Sequence, residues 1–184
     1  EGDTNNGNAR VGTVSGTSIS FGAEATFDTD SVQDTRLAYD SNAGKVVVAY
    51  RNTTQTNDGY AIVGTVSGPS ISFGTRTVFS TGANATSNIG IAYDEIAQKV
   101  VIAYKDGNNS GSGTAIVGTV SGTSISFGTA VVFNNNAAAE YISIDYHAAA
   151  KKIAISYEDT GNSQYGTLIT GTVSGTSITF DNKI

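Results

Sequence analysis

Cysteine, methionine and tryptophan are absent from the chain, and proline and histidine occur once each. Without cysteine there is no disulfide framework, no thiol nucleophile and no Cys-ligated zinc or iron–sulfur centre. One histidine, His147, excludes a multi-histidine metal site. Charge is scarce and of the wrong sign for nucleic acid: 10 Lys and Arg against 16 Asp and Glu give a net charge of −6 and a pI near 4.5, so no phosphate backbone is expected as a partner. No apolar run approaches the roughly 20 residues that span a bilayer, and the N-terminus lacks the basic-then-apolar layout of a signal peptide, so membrane insertion is not expected. Helix-friendly composition is confined to 137–140 and 148–152, too short to stand alone. A chain that starts at Glu1 and holds no Met reads as one from which a leading segment was removed, or as a piece of something longer.

What is present is a repeat. VGTVSGTSISFG at 11–22 recurs as VGTVSGPSISFG at 63–74, VGTVSGTSISFG at 117–128 and TGTVSGTSITFD at 170–181, with spacings of 52, 54 and 53. Between them lie LAYDSNAGKVVVAYRN from Leu37, IAYDEIAQKVVIAYKD from Ile91 and IDYHAAAKKIAISYED from Ile144. Both motifs read as β-hairpins. In the first, Gly16, Gly68, Gly122 and Gly175 supply the positive φ of a tight turn. In the second, turns at 41–44, 95–98 and 147–150 precede a longer strand, 46–50, 100–104 and 153–157, apolar on both faces and therefore covered on both sides. Ala49, Ala103 and Ser156 leave room for a neighbouring sheet. Four strands per period of about 53 residues predict an all-β fold, a β-propeller-like array of four-stranded antiparallel blades. The chain forms one repeat domain over 1–184: a hairpin at 9–27 and blades at 36–79, 88–133 and 141–181, about three and a half repeats. All seven Phe fall in or just after the first hairpin motif and are expected in the core between blades.

This pattern of an IAYD strand, a KVVVAYRD-type strand, an AIVGTVSG strand and an SISFGTxVVF strand resembles repeats of phage and bacterial surface proteins, which implies a propeller-like structure and an extracellular or virion-surface location. The hairpin at 13–21 is also distantly similar to the Asp-box hairpin of sialidase-type propellers, although Ser15 stands where the Asp would be and no Trp follows. In such propellers the box is structural.

Catalytic chemistry finds little support. A sialidase needs an arginine cluster, a Tyr nucleophile with a Glu, and an Asp acid, whereas the four arginines, Arg10, Arg36, Arg51 and Arg76, sit at non-equivalent places in the repeat. His147 falls in a turn where other copies have Ser41 and Glu95, the place of a solvated residue rather than a general base. The chain is expected not to be an enzyme, a glycoside hydrolase remnant being the remote alternative. Loops at 2–8, 52–59, 106–113 and 159–166 are rich in Asp, Asn, Ser and Gly, donors that Ca²⁺ accepts. None has EF-hand spacing, and left-handed turns with side-chain caps need the same composition. No cofactor is therefore expected, with calcium as the alternative. Each long strand ends in an aromatic and polar trio, Tyr50, Arg51, Asn52, then Tyr104, Lys105, Asp106, then Tyr157, Glu158, Asp159. Ring stacking beside hydroxyl-binding polar groups is the chemistry of sugar recognition, which makes these nine the candidate ligand-binding residues and surface glycans the candidate partner. Core Tyr with a polar tip is the competing interpretation. Three sequons, at Asn52, Asn84 and Asn108, decide nothing.

Hairpins number seven where closed blades need an even count. An incomplete array exposes strand edges and a sheet face, so self-association or pairing with other chain segments is expected: a small ring, a ring or fibre of several copies, or part of a longer array. The functional expectation is a non-catalytic surface scaffold that binds glycans, against a structural subunit of a fibre or ring with no ligand.

Overall fold

Valine-rich runs such as VVVAY become central strands because β-branched side chains pack well on a pleated surface covered on both sides. The computed structural model describes residues 5–82 and 86–184, without the side chain of Asn136; the start of the first Asn-rich loop, 2–4, and the sequon at Asn84 lie outside the described residues. An opening half unit holds β1 (Gly7–Ala9), β2 (Gly12–Ser15), β3 (Ser18–Phe21) and β4 (Ala25–Asp28). The first full unit is β5 (Val32–Asp40), β6 (Lys45–Asn52), β7 (Asp58–Ser67), β8 (Ser70–Phe73) and β9 (Thr77–Ser80). The second is β10 (Thr86–Asp94), β11 (Lys99–Asp106), β12 (Ser112–Ser121), β13 (Ser124–Phe127) and the start of β14 (Val131–His147). The remainder of β14 opens the third, followed by β15 (Lys152–Asp159), β16 (Tyr165–Ser174) and β17 (Ser177–Phe180). The fold is all-β and antiparallel, without an α-helix among the described residues, and the sheets there do not close into a barrel or ring.

Within a unit the first three strands form a meander, and the outer edge of the third is shared. In the first full unit, Gly64–Ser67 of β7 pairs with β8 while Gly59–Ala61 pairs with β9. The expected fourth strand is thus present but broken in two. Units also begin earlier than expected, at Val32 and Thr86 and, in β14, at Ala139. A bulge is the reason: Asp34, Asn88 and Tyr141 adopt φ of 51, 51 and 52°, the register shifts there, and the interrupted alternation hides the strand from a periodicity reading.

Turn chemistry follows the expected glycines, Gly16, Gly68, Gly122 and Gly175, at φ of 59, 56, 61 and 60°. His147 is corrected by one position. Pairing of His147 with Lys152 aligns it with Asp40 and Asp94, which pair with Lys45 and Lys99. Its Nδ1 accepts from the Ala150 amide at 3.0 Å, as Asp40 and Asp94 accept from Ala43 and Ala97 at 2.9 Å. It is an exposed turn cap.

Units stack face to face, with one core cluster between each successive pair. Val48 and Tyr50 face backward to the opening half unit while Val47 and Ala49 face forward to the second unit. Ala103 packs likewise, but Ser156 is exposed on the outer face of the third unit. A second device locks the stack. A Cβ at Gly22, Gly74 or Gly128 would lie 1.8, 1.9 and 1.9 Å from the carbonyl oxygen of Pro69, Thr123 and Thr176, the hairpin tip of the following unit. Only glycine admits so close an approach.

Candidate functional site

Strand alternation separates each predicted trio, because successive side chains point to opposite faces. Tyr50, Tyr104 and Tyr157 face the preceding unit and are buried. Each is covered by the Phe of the preceding fourth strand, Phe27, Phe79 or Phe133, at centroid distances of 5.2, 5.3 and 5.2 Å. The same Phe meets Phe73, Phe127 or Phe180 at 5.6, 5.9 and 5.6 Å. These tilted aromatic triads hold unit to unit. The tyrosine rings therefore have no face open to a sugar, which corrects the expectation that placed them in a ligand site; burial pushes the Tyr104 hydroxyl up to about 12, with the Asp106 charge adding to it. Six of the seven Phe are in these triads, and Phe21 lies exposed on the opening half unit.

Asn52, Asp106 and Asp159 end the strands and cap the loops that follow. Asn52 Oδ1 accepts from the amides of Thr54 and Gln55, both at 3.0 Å, Asp106 from Asn108 at 3.0 Å and Asp159 from Gly161 at 3.0 Å. Caps occupy one side-chain oxygen at the start of each of these three loops, and among the described residues no cluster of three or more His, Asp and Glu side chains is placed to hold a metal.

Two of these caps, Asn52 and Asp159, belong to buried polar networks whose further members Asp28, Asp30, Asn134 and Lys183 sequence reasoning missed. At the first interface, Asp28 Oδ2 accepts from Tyr50 at 2.7 Å and Arg76 at 2.5 Å, and Asn52 Nδ2 donates to Asp30 at 2.9 Å. Arg76 also stacks on Tyr60 at 4.7 Å. At the third interface the carboxylate and amide have exchanged places: Asn134 Nδ2 donates to Asp159 Oδ1 at 3.2 Å, and Lys183 reaches Asp159 Oδ2 at 2.9 Å and Asn134 Oδ1 at 2.5 Å. The middle interface has Ser80, Asp106 and Ala130 at the matching positions. Burial raises both carboxyls, but the Asp30 amide, the Tyr50 hydroxyl and Arg76 outweigh it at Asp28, and Lys183, the Asn134 side chain and the Gly161 amide outweigh it at Asp159, so both lie below the ordinary carboxylate value. The signal was available in the exchange itself, read across copies.

Arg51, Lys105 and Glu158 point the other way. Arg51 and Lys105 come together on one cleft of about 450 Å³, which spans units and also includes Thr86, Ser87, Ser110 and Ala138. Arg51 is held by Gln33 and by Asp34 at 3.6 Å. Lys105 pairs with Glu140, whose other oxygen accepts from Asn88 at 2.7 Å. Among the described residues, neither the hydroxyl of buried Thr86 nor the Nε of Arg51 has a hydrogen-bond partner. Both cations being matched by carboxylates, the cleft offers a mixed set of donors and acceptors rather than one dominant charge, chemistry suited to a polyhydroxylated ligand. Glu158 lines a different cleft, with Tyr141, on the outer face of the third unit. No family model matches the chain, and no curated protein or solved structure matches it either.

Proposed function

We propose that the chain is a non-catalytic scaffold of an extracellular or virion-surface protein, its stacked four-stranded units acting as propeller-like blades, and that it binds surface glycans in the cleft between Arg51 and Lys105. The observation that carries the glycan assignment is that cleft: it spans units and brings together Arg51 and Lys105, each paired with a carboxylate, and the hydroxyl residues Ser87 and Ser110. Repeat architecture supports the scaffold role, since near-identical units stacked in series present a rigid surface for such a cleft. A glycan array tests it. Reproducible binding that disappears in the Arg51→Ala, Lys105→Ala double variant supports the assignment, and silence across the array sinks it.

A structural subunit of a ring or fibre is favoured by one separate observation. Val14, Ile19, Phe21, Leu37 and Tyr39 are exposed on and beside the opening half unit; Ile19 is 55% exposed while its counterparts Ile125 and Ile178 are at 4% and 3%. Apolar residues of this kind are a route to association. Light scattering at micromolar concentration reads it directly, a monodisperse 18.8 kDa species counting against assembly.

A further inference from the structure

The outer face of the third unit departs from the repeat at several positions. Ala92, Val101, Ala103 and Val117 of the second unit pack in the core shared with the third, and Gly128 receives its hairpin tip. Fifty-three residues on, the matching positions hold Asp145, Ala154, Ser156, Thr170 and Asp181. Asp181 is tied to Lys152 at 2.6 Å and to Thr170 at 2.5 Å, a polar cluster on this face of the sheet. Where the earlier glycines accept a carbonyl oxygen, an aspartate side chain obstructs it.

Tyr141 stands on the same face, 78% exposed, at φ 52°. Its counterparts in the bulge are Asp34 and Asn88, residues whose short polar side chains tolerate the left-handed region; a tyrosine occupies it at a cost. An exposed ring held in an unfavourable backbone conformation gains nothing from packing and points to use. Beside it, Ser156, Glu158, Gln164 and Leu168 line a cleft of about 440 Å³. Glu158 replaces the cation that the other units carry at Arg51 and Lys105. The set combines an aromatic platform for the apolar face of a pyranose with a carboxylate and an amide that bind neighbouring hydroxyls.

We propose that Tyr141 and Glu158 form a sugar-stacking subsite for a neutral hexopyranose on the outer face of the third unit. It rests on the glycan-binding role but uses a cleft separate from that of Arg51 and Lys105. The test is saturation-transfer NMR of the full chain with methyl β-D-galactopyranoside and methyl β-D-glucopyranoside, for wild type, Tyr141→Asn, Tyr141→Phe and Lys105→Ala, with Tm recorded for each. Tyr141→Asn is expected to weaken binding at least about tenfold while raising Tm, because asparagine relieves the backbone cost as Asn88 does. Tyr141→Phe keeps the ring and the affinity. Binding unchanged in Tyr141→Asn but lost in Lys105→Ala overturns the subsite and leaves the first cleft standing. A fall in Tm of Tyr141→Asn shows a structural role and overturns it, and so does a wild-type chain that takes neither glycoside; the array result decides the broader role independently.

Discussion

Single residues matter most where two units touch. Gly74 has no space for a methyl group, since a Cβ would sit 1.9 Å from the Thr123 carbonyl oxygen. Gly74→Ala must push the next hairpin tip aside, and the expected loss is about 3 kcal/mol or more in denaturant unfolding. Gly16→Ala, by contrast, meets no atom within 4 Å and suffers only from its φ of 59°, an expected loss of about 1 kcal/mol. Equal losses in the two variants would show that the close approach is absent. His147 answers at the same scale. Its Nδ1 caps a turn that aspartate caps in the other units, so His147→Asp should leave stability within about 0.5 kcal/mol while His147→Ala loses about 0.5–1 kcal/mol.

At the scale of elements, the polar networks are the sharpest feature. Asp28, Asn52 and Arg76 at the first interface are mirrored by Asn134, Asp159 and Lys183 at the third, with acid and amide exchanged between the units. Asp28→Asn removes the charge that Arg76 meets most closely, and Asn52→Asp sets a second carboxylate beside Asp28; each single variant should be destabilised. The double variant reproduces the third interface and should recover most of the loss, a coupling of about 1–3 kcal/mol in a double-mutant cycle. Additive losses would remove the equivalence. None of this was open to periodicity alone. The repeat, the turn glycines and the four-strand unit were legible because they are local, whereas Asp28 meets Arg76 only once adjacent units stack. The bulges at Asp34, Asn88 and Tyr141 concealed the start of each unit by breaking alternation. The candidate trio, Tyr50, Arg51 and Asn52, was legible as a strand end. Alternation alone implied that the tyrosine and the arginine face apart; that Phe27 covers the ring depended on the neighbouring unit.

For the whole molecule, stability should depend on acid in a defined direction. Asp28 and Asp159 are held below their ordinary values in the folded state. A depressed carboxylate contributes stability that is fully present above the unfolded value, about 4, and is lost as pH falls through the folded value. Tm should therefore be level from neutrality to about pH 5 and fall below about pH 4, with a smaller fall in the Asp28→Asn, Asp159→Asn double variant. A wild-type Tm that rises on acidification would contradict the networks. The larger division is between buried aromatic rings that hold the stack together and the polar side chains on the opposite faces that line the clefts. Thermal unfolding of Tyr104→Ala beside Lys105→Ala, each followed on a glycan array, tests that division most directly. Tyr104→Ala is expected to lose about 3–5 kcal/mol of stability, while Lys105→Ala keeps its stability within about 1 kcal/mol and loses the glycans bound in the Arg51 and Lys105 cleft. A Tyr104→Ala chain that melts like the wild type yet no longer binds glycan would place the ring in the ligand site and contradict the stacked core.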